Sequence, residues 1–312
     1  MDEQYGAHAS LRELVKLEVE ARGFSFLPRQ PIHSVLAGRH ASRLRGRGLN
    51  FEEIRRYLPG DDVRNIDWKV TARARKPYVR VYTEERDRPM LLAVDQRLSM
   101  FFGTRRAMKS VVAAEACALA AWRGLSVGDR VGALIFGDEG IEEIRPHRSR
   151  ESVMRILGAV CEKNGKLNVD SGIQPDPGML DRTLERARQI AHHDHLVCLV
   201  TDFAGATEET VRHVTMLTEH NDVLIVFVHD PAEAEMADTG RVVIASGDAQ
   251  LEVDTGDKPL RKRFREDFSE RLEGMRSLAR KRGIPVLAIE TGTDVASQVR
   301  ALLGATPRGA RR

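Results

Sequence analysis

The stretch Met90-Leu91-Leu92-Ala93-Val94-Asp95-Gln96-Arg97-Leu98-Ser99-Met100 decides the fold. Five apolar residues followed by a carboxylate read as a strand buried on both faces that ends in a polar loop. A second run, Leu196-Val197-Cys198-Leu199-Val200-Thr201-Asp202, repeats the pattern. Open α/β sheets place their ligands beyond the carboxyl ends of the strands. If the two strands lie near each other in one parallel sheet, Asp95 and Asp202 converge on one crevice.

Working outward, apolar strand-like runs alternate with helical periodicity from Met90 onward. The pattern predicts a helix over 105–123 capped by Gly124, a strand over 129–136 with a hairpin partner at 141–145, and helices over 152–161 and 181–191. It then predicts a strand over 223–228, a hairpin from 241–248 and 251–253, a charged helix over 261–282, a strand over 284–289 and a helix over 295–303. Upstream, 11–20 reads as a short amphipathic helix, with Ser10 and Glu13 as its capping box. The expected fold class is therefore α/β: a Rossmann-like, mainly parallel sheet flanked by helices, with a small N-terminal basic β-rich element. The expected divisions are a helix and basic segment at 1–88, an α/β domain at 89–304 with a hairpin insertion near 240–256, and a frayed tail at 305–312.

Composition bounds the class. The 312 residues are 42% apolar and 30% charged, an ordinary globular balance. The net charge of +3 hides a concentration: Gly38 to Arg80 holds twelve Arg or Lys against five Asp or Glu. Such a stretch suits an acidic protein, a nucleic acid or an anionic membrane face, or is a solvated face with no partner. Three dispersed cysteines, Cys117, Cys161 and Cys198, argue for reduced core thiols rather than a disulfide framework. No apolar run approaches the roughly 18–20 residues needed to span a bilayer, and the start lacks a signal pattern. A cytoplasmic location is the expectation.

Within the basic stretch, Pro59-Gly60-Asp61 reads as a tight turn. The alternation in Val63 to Val70 and in Pro77 to Tyr82 reads as two strands of a small antiparallel element. Asp61, Asp62 and Asp67 are expected either to neutralise Arg56 and Arg64 in a structural network, with Tyr57 and Trp68 as local core, or to share a docking face. In the docking reading, Arg43, Arg45, Arg47, Arg56, Tyr57, Asp61, Arg64, Asp67, Trp68 and Arg73 meet an acidic partner, since Arg and aromatic residues tend to anchor interfaces.

The ordered block Arg56-Tyr57-Leu58-Pro59-Gly60-Asp61-Asp62-Val63-Arg64-Asn65-Ile66-Asp67-Trp68, followed by Ala72-Arg73, resembles the signature of domain-of-unknown-function family 58. The likeness continues through Glu84-Glu85, the Asp95 strand, Gly128-Asp129-Arg130-Val131-Gly132 and Thr201-Asp202, roughly Gly38 to Val228. It implies a von Willebrand factor A-like domain and a MoxR-type AAA+ ATPase as partner. It also implies a divalent-cation site built from an Asp-x-Ser-x-Ser loop, a Thr and a further Asp, a hard-oxygen set suited to Mg²⁺. Asp95 and Ser99 match the first loop and Asp202 the last. Arg97 replaces the first serine, and 177–180 offers no threonine. Three readings stay open: Arg97 as an internal cation between the carboxylates, a weak Mg²⁺ site, or Asp95 as a helix-capping residue.

His192-His193-Asp194-His195 lies in a predicted turn at the opposite sheet edge from Asp95 and reads as an exposed connection. No phosphate loop, nucleophile elbow or His-Glu-x-x-His motif is present. The leading expectation is a non-enzymatic interaction module with a degenerate metal-ion-dependent adhesion site. The alternatives are a nucleic-acid-binding protein using Arg39 to Arg80 and a metal-dependent hydrolase using Asp95 and Asp202.

Overall fold

The computed structural model describes residues 6–23, 49–84, 89–168, 172–234, 241–246, 249–254 and 257–303. In chain order the elements are α1 (Leu11–Glu20), β1 (Leu49–Arg56), α2 (Trp68–Ala74), β2 (Tyr78–Glu84), β3 (Pro89–Asp95), α3 (Lys109–Ser126), β4 (Arg130–Gly137), β5 (Gly140–His147), α4 (Arg150–Lys166) and α5 (Met179–Ile190). They continue with β6 (Leu196–Thr201), α6 (Glu208–Thr218), β7 (Asp222–His229), α7 (Pro231–Ala234), β8 (Arg241–Ser246), β9 (Ala249–Asp254), α8 (Lys258–Arg282), β10 (Val286–Glu290) and α9 (Val295–Leu303). They fall into two compact units, Pro31–Asp87 and the remainder, Met1–Gln30 with Arg88–Arg312.

The larger unit is built on a six-stranded sheet in the order β10-β7-β6-β3-β4-β5. Every neighbouring pair is parallel except β4 with β5, an antiparallel hairpin at the edge. Central strands buried on both faces must be apolar throughout, and β3 and β6 are. Side chains alternate between faces. Leu92 and Val94 join the core under α1, α3, α4 and α9. Leu91 and Ala93 join the core under α5, α6 and α8. Gly132 sits at the β4–β5 irregularity, where a Cβ would lie 2.6 Å from the Pro146 nitrogen, so no side chain fits there.

The chain runs from β3 to β4 and β5 on one side, then returns to β6 on the other. That reversal makes the β3–β6 junction a topological switch point, the place where open α/β sheets leave a crevice.

Several expectations need correction. α1 belongs with the larger unit, not with the basic segment. Its Leu14 is buried, and the Leu14 carbonyl accepts the indole N–H of Trp122 at 3.1 Å. Ser10 makes no side-chain cap, and Glu13 pairs with Lys16 instead of closing a capping box. The helix expected from residue 105 begins at Lys109 and runs past Gly124 to Ser126. Helix α6 was not anticipated at all.

In the smaller unit, β1 pairs antiparallel with β2. Residues 63–70 are not a strand: Val63–Asn65 is a 3₁₀ turn and Trp68 opens α2. Their polar side chains cap local turns, which overrides an alternating pattern. Arg43, Arg45, Arg47 and the tail from 305 lie outside the described residues. Among those described, no helix is long and apolar enough to cross a membrane.

Candidate functional site: a neutralised crevice and an exposed signature helix

Asp95 ends β3, and Asp202 follows the last residue of β6. With Val94 opposite Val200, the register brings the two carboxylates to the same crevice. Both are buried.

Each carboxylate has its own cation. The Arg97 guanidinium donates to Asp95 from Nε at 3.0 and 3.2 Å and from Nη2 at 2.7 Å. Asp95 also accepts the Arg97 backbone N–H at 3.0 Å and the Thr201 hydroxyl at 2.6 Å. Arg97 reaches Asp202 only at 3.9 Å. The cation of Asp202 is Lys109, at the first turn of α3, whose ammonium lies 2.6 Å from Asp202 and 3.0 Å from Glu233. Arg271 of α8 meets the same two carboxylates at 3.4 and 2.8 Å. Arg97 therefore serves Asp95, and does not stand midway between the two aspartates.

Three anions and three cations thus close on one another, as burial demands of charges. Burial opposes the charge on Lys109, yet Asp202 and Glu233 outweigh it and hold the pKa above the ordinary lysine value. Burial likewise opposes charge on Asp202, but Lys109, Arg271 and Arg97 keep its pKa depressed. For Arg97, desolvation is overcome chiefly by Asp95, and its pKa is raised.

The backbone is shaped to the network. Phe203 adopts a left-handed conformation, φ 55°, uncommon for a bulky residue and a recurrent feature of functional loops. Next to it, the Ala204 carbonyl accepts Arg97 Nη1 at 3.1 Å and the Ala204 N–H donates to Asp202 at 2.8 Å. Asp138 accepts the Leu98 N–H at 2.6 Å and so pins the turn that carries Arg97. Ser99, expected as a ligand, is exposed in that turn. Behind the crevice, the Gln96 amide donates to the Ser110 carbonyl at 2.9 Å and accepts from Asn164 at 2.9 Å. Asn164 in turn accepts the Ala9 N–H at 2.6 Å.

Sequence reasoning missed Lys109, Glu233 and Arg271. Lys109 had a signal, a lone cation opening the apolar run Val111 to Ala114. Glu233 had one too: Asp230-Pro231-Ala232-Glu233 has capping-box spacing, and the Asp230 N–H donates to Glu233 at 2.8 Å. Arg271 had none, being one of many cations on a charged helix.

In the smaller unit the signature aspartates act locally. Asp61 takes a two-pronged contact from Arg55 at 2.8 Å and the Leu58 N–H at 2.7 Å. Its hydrogen bond to Arg55 holds its pKa below the ordinary value. Asp62 accepts the Arg64 N–H, capping the 3₁₀ turn. Asp67 caps α2 through the Val70 N–H at 3.0 Å and pairs with Arg80 at 2.8 Å. The expected pairs with Arg56 and Arg64 are thus largely replaced by Arg55 and Arg80; Arg64 keeps a loose 3.9 Å contact with Asp62. Trp68 is not local core but 69% exposed. Tyr57 is half-buried, and Arg56, Arg64 and Arg73 are exposed.

His192, His193 and Asp194 are exposed in the turn before β6, at the amino end of that strand. Among the described residues no group of three or more His, Cys, Asp or Glu is placed to hold a metal ion.

Residues 53–287 match the family described as "Protein of unknown function DUF58". Uncharacterized proteins of Mycobacterium bovis and Mycobacterium tuberculosis are 27% identical over 299 residues, covering 95% of this chain and 91% of theirs. The solved structure of the conserved hypothetical protein BatB from Bacteroides thetaiotaomicron aligns at 12% identity and a TM-score of 0.42, over 69% of this chain and 95% of that one. A structure of proximal thread matrix protein 1 from the mussel byssus aligns at 15% identity and a TM-score of 0.29, over 46% of this chain and 38% of that one. With three quarters of its length inside the family match, the chain belongs to the DUF58 family of proteins of unknown function.

Proposed function

We propose that this chain is a non-enzymatic protein-interaction module. Its partner is a MoxR-type AAA+ ATPase, with which it acts chaperone-like in the assembly or maturation of a client. Its larger unit is of the von Willebrand A type with a degenerate adhesion site. The observation that carries the reading is the exposed face of α2. Trp68 stands 69% exposed at the first position of a helix whose start is fixed by the Asp67 cap. Arg56, Lys69, Arg73, Arg75 and Lys76 are exposed around it in sequence and have no carboxylate partner among the described residues. An exposed aromatic at a fixed helix start, with flanking cations, has the composition of an interface anchor. The crevice supports the same reading from the other side, because Lys109, held charged by two carboxylates, is no nucleophile or base.

The test is binding of the purified protein to a purified MoxR-type ATPase from the same organism, with ATP and with ADP. Trp68→Ala and Arg73→Glu should each weaken binding at least about tenfold, as truncated anchors do, with the melt unchanged because both side chains are exposed. No association in any nucleotide state overturns the proposal. Submicromolar, steeply salt-dependent binding to DNA through the same cations would favour the nucleic-acid reading instead.

A further inference from the structure

Two carboxylates converging at the carboxyl ends of parallel strands, with a third from α7 just beyond β7, are a hard-oxygen set that a divalent cation would find. In this crevice the oxygens are already occupied. Both oxygens of Asp95 accept from the Arg97 guanidinium, and one also accepts from Thr201. Asp202 Oδ1 accepts the Ala204 N–H, and Oδ2 accepts Lys109 and, at 3.4 Å, Arg271. Glu233 Oε2 accepts the Asp230 N–H, and Oε1 accepts Lys109 and Arg271. The residues present do not fit a metal ion.

We infer that Lys109 is the resident cation of this crevice, its ammonium standing where a divalent ion would bridge Asp202 and Glu233. The site is a permanent, metal-independent charge cluster. Position singles out Lys109 over the two arginines. It alone touches Asp202 and Glu233 while almost wholly buried, at 3% side-chain exposure. Arg271 approaches the same two groups from the outer side, at 19% exposure, and can withdraw into water. Arg97 is committed to Asp95 and reaches Asp202 only at 3.9 Å. A divalent ion entering the native crevice would have to share it with an ammonium that has no water to retreat to. Removing Lys109 leaves the five remaining groups with one net negative charge, and leaves the outer, withdrawable Arg271 as the cation on both Asp202 Oδ2 and Glu233 Oε1. Removing Arg97 leaves the same net charge, but the freed oxygens belong to Asp95 and Asp202 stays bound by Lys109.

The test uses Mn²⁺ as the probe, read by electron paramagnetic resonance and by the thermal melt of the full chain. The variants are Lys109→Met, Lys109→Gln, which keeps an amide donor for either carboxylate, and Arg97→Ser. The parent and Arg97→Ser should bind no Mn²⁺ at millimolar concentration, and their melts should not move. Whichever Lys109 variant folds should bind it, and its melt should rise by several degrees, since a ligand that binds only the folded state stabilises it. Binding by the parent overturns the inference. So does a folded Lys109 variant that ignores the ion, or Arg97→Ser binding more tightly than the Lys109 variants.

Discussion

Lys109→Met is the most informative single perturbation of stability. Methionine keeps most of the lysine stem and removes only the ammonium, so packing on α3 is largely preserved. What is lost is a 2.6 Å contact to Asp202 and a 3.0 Å contact to Glu233, both carboxylates being almost fully buried. Breaking a buried pair from one side costs about 3–5 kcal/mol, mostly because a charge is left uncompensated. Arg271 still lies within 3.4 and 2.8 Å of the same two groups. Its remaining contacts lower the expected cost to about 2–4 kcal/mol. At about 2–4 °C per kcal/mol for a unit of this size, the melt should fall by roughly 5–15 °C. Urea unfolding should show the same loss as a lower midpoint with an unchanged slope. Asp202→Asn completes a double-mutant cycle: the combined variant should cost less than the two single losses together, by about 1–3 kcal/mol. A Lys109→Met midpoint within about 0.5 kcal/mol of the parent, or strict additivity in the cycle, would refute the assignment of Lys109 as the partner of Asp202.

The same network sets a pH profile. Lys109 is raised in the folded state, so its contribution is complete below the ordinary lysine value and is lost as pH rises through the higher folded one. Asp202 is lowered, so its contribution is present above the ordinary aspartate value and is lost as pH falls through the lower folded one. Stability should therefore form a plateau between those limits, and Lys109→Met should flatten its alkaline edge in melts taken across pH. Asn164→Ala should cost about 2–3 kcal/mol by leaving the Gln96 side-chain amide oxygen and the Ala9 N–H unpaired, measured by urea unfolding. Cys117 and Cys198 are buried and Cys161 is half-buried, with burial pushing the Cys198 thiol up to about 12 and that of Cys161 up to about 11. A thiol reagent should label none of the three rapidly in the native state, and all three on unfolding. Val94→Asp should abolish cooperative folding, since Val94 is fully buried in the central strand; a retained melt would sink that strand's central place.

What the chain's own pattern determined was set by local physics. A run such as Leu196 to Thr201 can hide its six side chains only inside a sheet covered on both faces, so β3 and β6 were legible as buried parallel strands. A helix such as Val295–Leu303 declares its apolar stripe within nine residues. From those runs it followed that Asp95 and Asp202 end strands. That they share one crevice depended on β6 returning beside β3, which the sheet order decided. Alternation failed at 63–70, because capping by Asp62 and Asp67 is stronger locally than a period of two. Arg97 could be suspected from its place in the loop, but its choice of Asp95 over Asp202 could not. The partners of Asp202 come from residues 109 and 271, and Glu233 joins them from a one-turn helix. Charge pairing acts through distance in space, and separations of 93 and 69 residues in the chain carry no information about it. Only the packing of α3, α7 and α8 around the carboxyl ends of the strands placed those cations, and with them the character of the crevice.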